Sequence, residues 1–158
     1  MNVKRTLDYV TVAKLNKRVH DQHEQMHPYI FKPYNYDEVK STFKQLMQNE
    51  NFLFLLIENE QESIGYAWIE FKYYPENTFM KGYRAVQVHQ ISISEEEKGK
   101  GYGSKLMKEI EQLAQKRNVD VIELDYWYGN DDASKFYEKH GFRNCRDFMM
   151  KDLKADVD

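Results

Sequence analysis

Three glycines at alternate positions, Gly99, Gly101 and Gly103, stand between Ser94 and Ser104, just ahead of an amphipathic stretch. Glycine there can take positive φ and lets a ligand approach the main chain, while the helix that follows offers unpaired N–H groups and a positive dipole end. That is chemistry for binding phosphate. A negative charge at such a helix end gains about 0.3–1 kcal/mol when exposed and up to about 2 kcal/mol when partly buried. Lys98, Lys100 and Lys105 add positive charge locally, although 23 Lys+Arg against 26 Asp+Glu leave the chain at −3. Two familiar phosphate loops do not fit. The dinucleotide fingerprint G-x-G-x-x-G fails because the third glycine comes one residue early, and the chain contains no Gly-x-x-x-x-Gly-Lys-Ser/Thr.

The segment resembles the acyl-CoA loop of the GCN5-related N-acetyltransferase (GNAT) superfamily, whose pattern Arg/Gln-x-x-Gly-x-Gly/Ala is met by Lys98, Gly101 and Gly103. Lysine at the first position keeps the charge and loses the planar fork of arginine, so the resemblance bears on the main-chain cradle more than on that side chain. A second block, from Asn130 to Phe142, is similar to the family's later motif, Asn-x-x-Ala-x-x-Phe-Tyr-Glu-Lys-x-Gly-Phe, at every fixed position. The two blocks span residues 91–142; outside them the chain fits the family only in its order of elements. The resemblance implies acetyl-CoA as cosubstrate, with its diphosphate on Lys98, Gly99, Lys100, Gly101, Tyr102, Gly103 and Ser104. It also implies that Asn130 meets the pantetheine arm and that Tyr137 lies near the thioester sulfur. The plainer role for Tyr137 is a core aromatic beside Phe136 and Phe142.

The implied activity is transfer of an acetyl group to a primary amine by direct attack on the thioester. This needs a neutral amine, polarisation of the carbonyl and a proton for the departing thiolate. Tyr137 is the candidate acid, and main-chain N–H groups near Ile91 and Ile93 are the candidate donors to the carbonyl oxygen. An amine of the lysine type has a pKa near 10.4 and must lose a proton before it attacks. His89 and Glu95 are the candidate bases, against plainer roles as a hydrogen-bonded sheet residue and as part of a solvated acidic turn. Glu95, Glu96 and Glu97 would draw a cationic acceptor, so a small cationic amine is the favoured partner. The other readings are a non-catalytic acyl-CoA sensor on the same fold, a protein N-terminal or lysine acetyltransferase, and an unrelated nucleotide-binding domain.

The elements that must position these residues follow from periodicity. Residues 2–7 suit a strand, and Asp8 or Thr11 caps a helix to about Met26 along Val12, Leu15 and Val19. Asn35 and Glu38 have capping-box spacing for a helix ending near Asn49. Residues 52–57 and 63–74 read as a hairpin, and 83–94 as the next strand. In that strand Val86 and Val88 sit at even positions but Ile91 and Ile93 at odd ones. One extra residue between Val88 and Ile91, a β-bulge, would return all four to one face and splay the strand from its parallel neighbour; a strand buried on both faces is the alternative. A helix from Gly101 buries Leu106, Ile110, Leu113 and Ala114, and 119–127, 131–140 and 142–152 read as strand, helix and strand. The expected fold is a single α/β N-acyltransferase domain over 1–158, a mixed twisted sheet flanked by helices with a splayed central strand pair.

Composition narrows the setting. The net charge of −3 argues against nucleic acid or an anionic membrane as partner, and no apolar run approaches the ~18 residues of a membrane span. Lys4, Arg5 and Asp8 interrupt what a signal peptide would need, and a lone Cys145 fits a reducing compartment, so the expected location is cytoplasmic. Cys145 reads as a core or edge residue. His20, His23 and His27 recur on one helix face, but with no second ligand cluster they read as solvent-facing, and no metal is expected. The aromatic stretch 26–34 lines the acceptor pocket or packs as a loop. A homodimer is left open.

Overall fold

Asp8 opens the first helix, accepting hydrogen bonds from the Thr11 amide and hydroxyl, so strand β1 (Asn2–Arg5) gives way to α1 (Tyr9–Met26) at a satisfied cap. Asn35 does the same for α2 (Tyr36–Leu46) by accepting from the Glu38 amide. The helix stops at Leu46, short of the expected Asn49. In this computed structural model, which describes residues 1–154, the hairpin β2 (Phe52–Asn59) and β3 (Glu62–Tyr74) follows. Next come β4 (Tyr83–Ile93), one 3-10 turn at Glu95–Glu97, α3 (Tyr102–Lys116) and β5 (Val121–Glu123). These elements belong to a compact unit, Met1–Asp125; a smaller unit from Tyr126 onward carries α4 (Asp131–Lys139).

The five strands form one sheet in the order β1-β2-β3-β4-β5, antiparallel except for the parallel pair β4–β5. Leu55, Ile57, Ile69, Val86 and Val88 pack on α3 through Leu106 and Ile110. Phe54, Leu56 and Tyr66 face the other way, onto Val12 and Ala13 of α1 and Phe43 of α2. The sheet is therefore mixed and flanked by helices on both faces, as the sequence suggests.

The bulge in β4 is present. Trp68 pairs with Gln90 and Ile69 with Val88, which leaves His89 as the extra residue. Val86 and Val88 lie in the α3-side core and Ile91 and Ile93 pack against it, so the parity flip is absorbed at His89. His89 and Gln90 both turn to the α1–α2 side, where His89 stacks on Trp68 and Gln90 bonds Tyr66. The β4–β5 register covers only Ala85–Gln87 against Val121–Glu123, ending just before the bulge, while β4 runs on to Ile93. That is the splayed strand pair.

Four further expectations are corrected. The strand read over 119–127 shrinks to Val121–Glu123, because its partner edge turns aside at the bulge. No strand forms over 142–152; Phe148, Met149 and Met150 are exposed, and so is Cys145, which is neither core nor edge. The histidines of α1 do not simply face solvent. His23 stacks on Phe31 with centroids 4.9 Å apart, and His20 Nε2 meets the Lys32 carbonyl at 2.6 Å. Burial, followed by the charges of His20 and His27, lowers the pKa of His23. Phe31 and Tyr34 of the aromatic stretch thus pack onto α1, while Tyr29 and Ile30 are exposed.

Candidate active site

The phosphate-binding candidate takes the shape its glycines permit. Gly99 and Gly101 adopt φ of +76° and +88°, and a Cβ built on either would meet no atom within 4 Å, so the approach to the main chain is open. Gly101 is the N-cap of α3 and offers no side-chain acceptor, which leaves the first-turn amides beginning with Tyr102 and Gly103 without a side-chain cap. This cradle suits a diphosphate. The lysines add less field than their number suggests, since Lys98 pairs with Glu95 at 3.3 Å, Lys100 with Glu97 at 3.1 Å, and Lys105 Nζ donates to the Met1 carbonyl at 3.2 Å. The Tyr102 ring is buried in the α3-side core, so its backbone amide is the part left to meet a ligand.

Immediately upstream lies the part of β4 that β5 does not pair. The side chains of Ile91 and Ile93 pack against the core, so their main chain is the part left to meet a ligand. Glu95, at the end of this strand, is exposed and accepts from Arg18 Nε of α1 at 2.7 Å. That hydrogen bond, then the one from Lys98, lowers its pKa, so it holds a proton less readily than an ordinary glutamate. Glu95 is thereby the weaker of the two candidate bases, and its visible work is tying α1 to the loop. His89 sits differently. Its ring is largely covered by Trp68, stacked at 4.5 Å, and by the edge of Phe52 at 5.6 Å, and its Nε2 meets Glu70 Oε1 at 2.7 Å.

In the second unit Asn130 caps α4, its Oδ1 accepting from the Ala133 amide at 3.1 Å; its amide nitrogen is the part left to meet a ligand. Tyr137 stacks against Tyr126 at 5.7 Å, with Phe136 and Phe142 edge-on at 5.3 and 5.7 Å. The ring is half-buried among aromatics, and a held ring is a precondition for aiming a hydroxyl. Among the described residues no group of three or more His, Cys, Asp or Glu is placed to hold a metal, and no helix is long and apolar enough to cross a membrane.

A family model described as "Acetyltransferase (GNAT) family" matches residues 16–142. The chain belongs to that family. The match opens at Asn16 inside α1 and closes at Phe142, taking in both motifs and every strand but β1. A curated relative named as an uncharacterized N-acetyltransferase, YycN of Bacillus subtilis, is 27% identical over 60% of this chain and 57% of its own length. The aligned part thus spans little more than half of that relative. A second, an uncharacterized N-acetyltransferase of Archaeoglobus fulgidus, is 27% identical over 67% of this chain and 70% of its own. Among solved structures, a tetramutant of the BH1408 protein from Bacillus halodurans has a TM-score of 0.91 at 27% identity, covering 97% of this chain and 100% of that one. An aminoglycoside N-acetyltransferase, AAC(6')-Iy, solved in complex with CoA, has a TM-score of 0.75 at 11% identity over 98% of this chain and 95% of its own; it speaks to fold alone.

This GNAT chain also places beside the bulge polar residues that sequence reasoning did not single out. Asn16 of α1, buried, donates to the Tyr66 hydroxyl at 3.0 Å, and that hydroxyl donates to Gln90 Oε1 at 2.6 Å. Burial pushes the Tyr66 phenol well above its ordinary pKa, so it stays a neutral donor. The network ties α1 to the residue beside the bulge. Its signal was available: Asn16 follows Val12 by four residues, a polar side chain inside an apolar helical stripe. Glu70 was equally legible as the next residue on the strand face of Tyr66 and Trp68.

Proposed function

We propose that the protein transfers an acetyl group from acetyl-CoA to the primary amine of a small cationic acceptor. The observation that carries this reading is the continuity, within one compact unit, of a β4 that β5 leaves half unpaired and a glycine cradle at the start of α3 with no side-chain cap. Membership of the GNAT family supports it. When bound, acetyl-CoA supplies an acyl group activated as a thioester. The residues of the chain then have separate tasks. The amides around Gly101 hold the diphosphate, and main-chain N–H groups of the Ile91–Ile93 stretch donate to the carbonyl oxygen as it gains charge. His89 takes a proton from the acceptor ammonium, and the Tyr137 hydroxyl gives one to the departing thiolate. The Asn130 side-chain NH2 is assigned to the pantetheine arm. Glu96, exposed on the turn after β4, favours a cationic acceptor over a neutral one.

The test is incubation with acetyl-CoA and a mixed amine library that includes peptides, read by mass spectrometry for the gain of about 42 Da that an acetyl group replacing hydrogen brings, the direct trace of acyl transfer. Modification of a small amine with stoichiometric release of CoA supports the proposal. Modification of peptides alone moves the acceptor class to proteins, and CoA binding with no acetylated member makes the chain a binding module.

A further inference from the structure

We infer that Glu70 is a positioning residue for the acetyl transfer, acting through His89 by fixing which ring nitrogen receives the acceptor's proton. The inference rests on the reading of His89 as base. Glu70 and His89 lie on neighbouring strands beside the bulge: Glu70 pairs with Gln87 in the ladder, and its side chain meets that of His89, the extra residue. The contact is Nε2 to Oε1 at 2.7 Å, with both side chains about four-fifths covered, at 24% and 20% exposure.

An ionised carboxylate only accepts hydrogen bonds. His89 Nε2 must therefore be the donor, which leaves Nδ1 as the lone-pair nitrogen of the neutral ring. One ring face is taken by Trp68, whose plane lies 23° from that of the imidazole, and Phe52 stands edge-on to it. Two aromatic walls and one charge-assisted hydrogen bond leave the ring little freedom to turn, and the same carboxylate steadies the positive charge that appears when Nδ1 is protonated. The proton balance is simple. The ammonium of the acceptor loses one proton to Nδ1, Nε2 keeps its own, and no proton passes to Glu70.

Glu70→Gln keeps shape and an accepting oxygen but removes the charge, whereas Glu70→Ala removes both. With the acceptor found in the amine screen, Glu70→Ala is expected to lower kcat by about ten- to hundredfold, the range seen when the partner of a metal-bound imidazole is removed, with KM for acetyl-CoA unchanged. Glu70→Gln should recover part of that loss. In parallel, imidazole NMR of the full ¹⁵N-labelled chain should show a hydrogen-bonded Nε2 proton on His89 in wild type and in Glu70→Gln, and none in Glu70→Ala. This readout needs neither turnover nor acceptor, and it also reports whether each variant is folded. Wild-type kcat in Glu70→Ala alongside a crippled His89→Gln overturns the role of Glu70 and leaves the base reading intact. Wild-type kcat in His89→Gln, or a screen in which no amine is acetylated, overturns both.

Discussion

Tyr137 and Glu95 show how far the surroundings of one side chain decide its use. Tyr137 stands in a ring of Tyr126, Phe136 and Phe142, so removing its hydroxyl alters chemistry while leaving the apolar packing almost whole. Tyr137→Phe is expected to lower turnover by about 10²–10⁴-fold, the usual worth of a positioned acid. Acetyl-CoA affinity, measured by calorimetry, should stay near the wild-type value. An unaltered turnover number would take Tyr137 out of the acid role. Glu95 is a carboxylate stabilised from outside, by the hydrogen bond of Arg18 first and of Lys98 second, and its pKa is lowered from the 4.5 of a free glutamate. A depressed pKa means that the folded state gains from the ionised form above about 4.5 and loses that gain as pH falls through the folded value. Side-chain carboxyl NMR should therefore place the Glu95 midpoint below 4.5, and Arg18→Ala should move it back towards 4.5. A midpoint indifferent to Arg18 would mean that the α1-to-loop tie does not persist in solution.

At the scale of elements, the bulge organises most of what matters, and it was legible because alternation leaves a count that can be checked. Val86 and Val88 against Ile91 and Ile93 demand one extra residue, and the structure puts it at His89. The helices were legible for similar reasons, through Asp8 and Asn35 as caps and through the apolar stripe of α3. Parity was silent elsewhere. Phe148, Met149 and Met150 are consecutive, so they select neither face, and a strand also needs a neighbour whose register no local pattern states. The shortening of β5 was hidden for a related reason: its own residues suit a longer strand, but the edge they would pair with bends away at the bulge. The site divided in the same way. The cradle was readable from its glycines, whereas Glu70 beside His89 and Asn16 beside Tyr66 depend on contacts between distant segments. Deletion of His89 tests the bulge itself. Without it Val86, Val88, Ile91 and Ile93 alternate regularly, so the α3-side core is preserved and the chain should fold, with a circular-dichroism spectrum close to wild type. The strand would then lack its kink, and acetyl-CoA binding should fall well below that of His89→Gln, which keeps the bulge. Equal affinity in the two variants would separate cofactor binding from the kink.

For the whole molecule, the proposed cosubstrate raises the question of how a chain of net charge −3 would bind a ligand that carries several phosphate charges. A diffuse positive field is absent, and Lys98 and Lys100 are partly neutralised by Glu95 and Glu97, so the attraction must come from main-chain donors at short range. Two consequences follow for ligand-induced stabilisation. A ligand that binds only the folded state at a hundred times its dissociation constant adds about 2.7 kcal/mol, and for a domain of this size each kcal/mol raises Tm by about 2–4 °C. CoA at that concentration should therefore raise Tm by roughly 5–11 °C, while ATP, which lacks the pantetheine arm, should give a much smaller shift at equal concentration. Because the donors are backbone amides close to the ligand, most of the CoA shift should survive at about 0.5 M salt, where screening would erase attraction between well-separated charges. Gly101→Val supplies the decisive comparison. The Cβ meets open space but forces a branched side chain into φ near +88°, so it strains the N-cap of α3 and rotates the amides behind it. The variant should begin with a lower Tm and gain little from CoA. A full CoA shift in Gly101→Val would place the diphosphate elsewhere on the molecule.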